Sequence, residues 1–279
     1  MKAAKNMWAQ EISSGMEVPN RSDRGSQRSL GEKPMAEVVF LLDVDNTLLD
    51  SDHLVADIKS KLEREFGAAS ASRYWTFFAK LRSEHGYADY LGALQLCRTD
   101  AGQSRYDNPR LLQMSAFLID YPFSDRLYPR ALDVIDRLNA YGRTVIFSDG
   151  DVVFQPRKIQ RSGLWDAVSG RVHIYVHKEE MLHAVQHDYP ARHYVMVDDK
   201  LRVLSAMKKI MQDRLTTVLA LQGHYARGIA DVTKYTPADL TIERIGDLAD
   251  FDLRALFEDR VEIERGSEDV GSRARFTAQ

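Results

Sequence analysis

From Glu37 onward the apolar positions fall into two alternating patterns. Short, nearly unbroken runs of β-branched and large apolar residues occur at Val38 to Leu42, Thr144 to Phe147, Val172 to Val176, Tyr194 to Val197 and Thr217 to Leu221, with a weaker one at Leu240 to Ile242. Runs of strand length without polar interruption belong to strands covered on both faces. Between them apolar residues recur at helical spacing, so the predicted fold is α/β: a doubly wound parallel sheet whose strands are joined by crossover helices.

One connection breaks that rhythm. Roughly a hundred residues separate the first two strands, far more than a simple crossover uses. Helical periodicity fills the gap at Asp52 to Phe66 (Leu54, Ile58, Leu62 and Phe66), Ala71 to Ser83, Tyr87 to Cys97 and Pro109 to Asp120, punctuated by Gly67, Gly86 and Asn108-Pro109. An inserted α-helical domain set over the strand ends is therefore expected. Beyond it, Pro129 is predicted to open a helix from Arg130 to Tyr141, which Gly142 closes. The resulting division is a disordered N-terminal tail at 1–35, an α/β core at 36–50 and 122–258, a helical cap at 51–121 and a flexible C-terminal tail at 259–279. The first tail is rich in Ser, Gly, Lys and Arg and lacks the apolar stretch of a signal peptide.

Chemistry collects where strands end. The first four run into Asp43, Ser148, His177 with Lys178, and the pair Asp198-Asp199. In an open parallel sheet ligands bind beyond the carboxyl ends of the strands, so these groups are expected in one crevice. The run Phe40-Leu41-Leu42-Asp43-Val44-Asp45-Asn46-Thr47 drives an apolar strand into two carboxylates one residue apart. An Asp-x-Asp-x-Thr pattern alone arises by chance in roughly one chain in twenty, so the weight rests on the second acidic pair. Four carboxylates at one sheet edge repel unless a cation separates them. Oxygen donors too few to fill a coordination shell suit Mg2+, whose remaining positions water and phosphate oxygens take.

Composition narrows the partners. A net charge of -3 offers no basic excess for nucleic acid, and the longest apolar run is only strand length, so neither nucleic acid nor membrane is expected as a partner. Cys97 is the single cysteine, which excludes an internal disulfide framework and a thiolate cluster and fits a cytoplasmic location. His183 and His187 stand four apart, but Met181, Leu182 and Val185 mark the buried face of that helix; His173 and His177 lack a third ligand. A zinc site is rejected on both counts.

From about Val38 to about Leu221 the sequence resembles the haloacid dehalogenase-like (HAD) superfamily. Asp43, Asp45 and Thr47 match its first motif, Ser148 its second and Lys178 its third. The stretch Ile159 to Asp166 looks like the usual linker between the last two and favours Lys178 over Lys158. The fourth motif takes its adjacent-pair form, because Val203 stands where a more distant acid would. The resemblance implies Asp43 as nucleophile forming an aspartyl-phosphate and Asp45 as general acid/base with a pKa raised by its neighbours. It further implies phosphoryl binding by Ser148, Lys178 and the backbone around Val44 and Asp149, Mg2+ held by Asp43, Asp45, Asp198 and Asp199, and Thr47 positioning the loop. Asp45 points to phosphotransfer, since dehalogenating relatives lack that acid and the metal. The insert resembles a C1-type cap, in which Arg73, Tyr74, Trp75, His85, Tyr87 and Tyr90 offer substrate contacts; His224 and Tyr225 offer comparable ones after the fifth strand. The expected protein is a Mg2+-dependent phosphomonoester hydrolase for a small phosphorylated metabolite, monomeric or homodimeric. A phosphomutase and a non-catalytic sensor or scaffold remain as alternatives.

Overall fold

The computed structural model describes residues 35–99, 108–228 and 234–258; the predicted tails lie outside it, apart from Met35. Six strands form one parallel sheet in the order β3-β2-β1-β4-β5-β6. They are β1 (Ala36–Leu42), β2 (Arg143–Asp149), β3 (Val172–Tyr175), β4 (Ala191–Asp198), β5 (Leu215–Ala220) and β6 (Leu240–Ile242). The weakest of the predicted strands is real: Leu240 to Ile242 pairs in parallel with Val218 to Ala220.

Period-two alternation divides the apolar side chains of each central strand between two cores. Val38, Phe40 and Leu42 of β1, with Ile146, Val195 and Val197, face the core shared with the inserted helices. Val39 and Leu41, with Val145, Phe147, Tyr194 and Met196, face the opposite one. The second core is closed by α8 (Leu182–Asp188) and α9 (Leu201–Met211), which bury Leu182 and Val185, and Leu204 and Met207. Strands this thoroughly covered explain the unbroken apolar runs in the sequence.

Four helices are described between β1 and β2: α1 (Ser51–Phe66), α2 (Ala68–His85), α3 (Tyr90–Thr99) and α4 (Asn108–Ile119). The first buries Leu54, Ile58, Leu62 and Phe66, the stripe its spacing predicted. The third starts at Tyr90 rather than at Tyr87, because the Asp89 carboxylate accepts the Gly92 N–H at 2.7 Å and sets the first turn there. A similar shift affects α5 (Ala131–Asn139), predicted from Arg130: that residue takes a left-handed φ of 66° and lies outside the helix. The helix ends at Asn139 with Ala140 as its C-cap, short of the predicted Tyr141; at Gly142 a Cβ would meet the Val38 carbonyl, so only glycine lets the chain pass β1 this closely. The crossover after β2 carries α6 (Phe154–Arg161) and the single turn α7 (Leu164–Ala167), and α10 (Gly223–Arg227) follows β5.

Polar contacts tie insert to core. Arg157 pairs with Asp120 at 3.1 Å, Arg161 donates to the Asp120 carbonyl at 2.9 Å, and Arg126 pairs with Asp57 at 2.7 Å. No helix among the described residues is long and apolar enough to cross a membrane.

Candidate active site

Register places the site. Leu42 of β1 pairs with Ile146 of β2 and with Val197 of β4, so Asp43 and Asp198 leave the sheet at the same level, with Ser148 one residue further along its strand. The Asp43 N–H donates to the Val197 carbonyl at 3.0 Å, which locks that alignment. Asp149 pairs with Tyr175 of β3, and its carboxylate accepts the Lys178 N–H at 2.9 Å, drawing the residue after β3 back toward β1. The four strand-end clusters therefore converge as the sheet topology requires.

Lys178 is fully buried at their centre. Its ammonium donates to Asp43 Oδ1 at 2.5 Å and lies 2.7 Å from Asp198 Oδ2. Lys178 pairs with Asp43, whereas Lys158 pairs with Asp45. Burial alone would push the Lys178 proton off, but Asp198, Asp43 and Asp149 outweigh it and hold its pKa above the ordinary lysine range. Burial drives the Asp43 carboxyl upward, with Asp198 and Asp45 adding to the effect and Lys178 opposing it. The Thr47 hydroxyl reaches Asp43 Oδ2 at 3.4 Å, across the loop it was expected to position.

Asp43, Asp198 and Asp199 can each aim a carboxylate oxygen into a common space, with the three atoms within 4.8 Å of one another. Both oxygens of Asp199 are buried and have no hydrogen-bond partner among the described residues. Burial, then Asp198 and Asp43, push its pKa to about 9. A buried carboxylate without donors is tolerated only where a proton or a cation supplies the missing charge. Hard oxygen donors in this number fit a Mg2+-like ion.

This has a measurable consequence for the metal-free protein. Asp199 has a folded pKa well above its unfolded value near 3.9, so between the two the folded state binds the extra proton. Stability with chelator present should therefore fall as pH rises from about 4 toward 9. Melting curves should show the Asp199→Asn variant losing less over that range than the parent; parallel slopes would contradict the assignment.

The Asp45 side chain stands apart from this trio, contrary to the four-carboxylate metal set expected from sequence. Lys158, buried on α6, pairs with it at 2.5 Å. The Ser51 hydroxyl donates to the same Asp45 oxygen as Lys158, and the Gln155 amide donates to the other at 2.9 Å. Burial disfavours the charge, but Lys158, Ser51 and Gln155 together hold the carboxyl down at about 2. The raised pKa expected of an acid/base group is thus not found here, because a lysine neighbours it instead of another acid. Gln155 also donates to the Ser148 hydroxyl at 2.9 Å and so links the second strand end to Asp45. Spacing carried a signal for this pair: Gln155 and Lys158 stand three apart on one helix face.

Asn46 bends the loop between Asp45 and α1 with a left-handed φ of 60°, and its side-chain oxygen accepts the Ser51 N–H at 3.0 Å. A Cβ on Gly223 would collide with the Asn46 side chain, which is how α10 approaches this loop. A cavity of 970 Å³ opens between the insert and the strand ends, lined by Asp45, Asp149, Lys158 and Lys200 together with Trp75, Phe78, Tyr87 and Tyr90. Of the sequence-predicted insert contacts, Trp75, Tyr87 and Tyr90 line it, whereas Arg73, Tyr74 and His85 do not; His224 and Tyr225 line it too. Tyr74 is instead buried, donating to the Tyr90 carbonyl at 3.0 Å. Lys200, which sequence reading passed over, lies 3.8 Å from Asp149; burial opposes its charge, but Asp43 and Asp198 hold its pKa above the usual range. His183 and His187 are exposed on α8, and His173 bonds to the Tyr175 hydroxyl at 2.9 Å.

Residues 38–210 match the family model of haloacid dehalogenase-like hydrolases, and the chain belongs to that family. A haloacid dehalogenase-like hydrolase from Burkholderia xenovorans LB400 is 59% identical, with a TM-score of 0.72 over 78% of this chain and 97% of that one. The HAD-hydrolase YfnB of Bacillus subtilis, solved bound to magnesium, has 16% identity and a TM-score of 0.53 over 76% of this chain and 97% of its own. An L-2-haloacid dehalogenase has 18% identity and a TM-score of 0.54 over 78% and 99%. The last two share the fold. Among curated proteins none matches this chain.

Proposed function

We propose that this hydrolase cleaves phosphomonoesters of small metabolites with Mg2+, using Asp43 as nucleophile. The observation that carries the reading is the buried trio of Asp43, Asp198 and Asp199, in which Asp199 has no donor for either oxygen among the described residues. Carbon–halogen displacement by a carboxylate needs no such trio. A phosphoryl group brings anionic oxygens to an anionic nucleophile, and that repulsion has to be offset by cations. Lys178 and Lys200 stand beside Asp43 for this purpose, and Mg2+ held by Asp43, Asp198 and Asp199 would supply the remaining charge.

In the first step an Asp43 oxygen attacks phosphorus as the bond to the leaving oxygen breaks, giving an aspartyl-phosphate and an alcohol. The Lys158–Asp45 pair gives that leaving oxygen its proton, which the water of the second step returns to the pair through Asp45. In the second step water attacks the phosphorus and yields its proton to the Asp45 carboxylate, releasing phosphate and restoring Asp43. Because Lys158 keeps Asp45 ionised, the second step finds its base ready. The helical insert serves as the cap that encloses the substrate, in the cytoplasm.

Phosphate release from an aryl phosphate and a panel of phosphorylated metabolites should require Mg2+ and stop on chelation. Halide release from 2-haloalkanoates, undiminished by chelator and without phosphate release from any ester, would replace this reading with a dehalogenase.

A further inference from the structure

We infer that Arg82 and Tyr225 form a subsite for a second anionic group, a carboxylate or a phosphate, carried by the leaving group of the substrate; this rests on the phosphatase reading above. Both residues line the cavity: Arg82 is exposed on α2 of the insert, and Tyr225 is half-buried on α10 of the core. The Arg82 guanidinium donates to the Tyr225 hydroxyl, and its carbon lies 5.7 Å from the centroid of that ring. A guanidinium has donors only, so the direction of this hydrogen bond is forced. The Tyr225 hydroxyl therefore keeps its own proton for another acceptor, and Arg82 keeps its remaining N–H groups.

Charge pairing within the cavity lining singles out Arg82. Lys158 pairs with Asp45, Lys200 with Asp149 and Arg202 with Glu179. The acids of the lining are engaged as well: Asp52 bonds to the His224 ring at 2.6 Å, and Asp151 accepts the Val153 N–H at 2.7 Å. Arg82 meets no carboxylate among the described residues, and its hydrogen-bond partner there is the neutral Tyr225 hydroxyl. The same Tyr225 ring lies 5.6 Å from the Lys200 ammonium, which stands 3.8 Å from Asp149 at the strand ends. One ring thus bridges the cation of the insert and the cation beside Asp43. At 970 Å³ the cavity holds far more than a phosphoryl group, so a substrate can reach both.

A planar guanidinium takes two oxygens of one carboxylate or phosphate, and the phenol O–H adds a third charge-assisted bond to the same group. A plain alkyl or polyol phosphate brings no charge to this place. The subsite is therefore expected to discriminate by a second negative charge set at a fixed distance from the transferred phosphoryl group.

Calorimetry on the full-length Asp43→Asn protein with Mg2+ compares short alkyl phosphates of graded length with their ω-carboxylate and ω-phosphate counterparts, alongside turnover by the parent enzyme. At one chain length the ester with a second anion should bind at least about tenfold tighter than the alkyl phosphate of that length. Whether the carboxylate or the phosphate series shows this preference identifies the group. The preference should vanish in Arg82→Gln, persist in part in Arg82→Lys, which keeps the charge but loses the fork, and weaken in Tyr225→Phe; melting curves check that the variants fold. No preference at any length overturns the subsite, as does one untouched by Arg82→Gln. An equal loss for both kinds of ester in Arg82→Gln would place Arg82 on the transferred phosphoryl group and likewise overturns it. A preference in binding, with no ester turned over by the parent, keeps the subsite and overturns the phosphatase reading instead.

Discussion

Replacing Asp43 with asparagine should lower phosphate release by about four orders of magnitude or more while leaving the protein folded. The substitution is nearly isosteric and keeps an acceptor for the Lys178 ammonium, now 2.5 Å from Asp43 Oδ1. What it removes is the anionic oxygen that attacks phosphorus. It also relieves part of the repulsion among three buried carboxylates, so stability with chelator present should not fall. Rapid-quench sampling followed by intact-mass measurement should find a phosphorylated parent enzyme and an unmodified variant. Activity within about tenfold of the parent would move the nucleophile to another residue.

That prediction comes from residues legible in the sequence, and the reason is geometric. A parallel sheet brings strand ends together, so an acid behind each of two apolar runs is enough to place Asp43 beside Asp198. The linker after Ser148 similarly placed Lys178, which the register of β2 with β3 carries back to the centre. What the sequence did not reveal depends on side-chain directions. Asp45 and Asp43 are separated by a single residue, yet the carboxylate of the former turns to Lys158 and Gln155 on a helix more than a hundred positions away. No pattern within the loop encodes that partner. Helix starts failed by a few residues for a similar reason: the Asp89 carboxylate bonds the Gly92 N–H and Arg130 takes a left-handed turn conformation, neither of which periodicity registers. Within the insert, apolar spacing identified the buried stripes, but it could not separate Tyr74, which packs inward, from Trp75, which reaches the cavity.

The electrostatic reading of the site meets its hardest test at Lys178. Substituting methionine there should cost about 3–5 kcal/mol of stability, the range found when one member of a buried ion pair is removed. The side chain is fully buried and pairs with both Asp43 and Asp198, so its loss leaves the carboxylate trio to the weaker influence of Lys200. Two further results follow from that cause and not from lost packing. Mg2+ should raise the unfolding midpoint in urea more for Lys178→Met than for the parent, because the metal then meets the charge alone. Adding Asp198→Asn to Lys178→Met should recover part of the lost stability without restoring turnover, since it removes an unpaired acid but returns no cation to the phosphoryl group. If the double variant were instead less stable than the single one, the contribution of Lys178 would lie in packing, and the case for a charge-balanced metal and phosphate site would lose its main support.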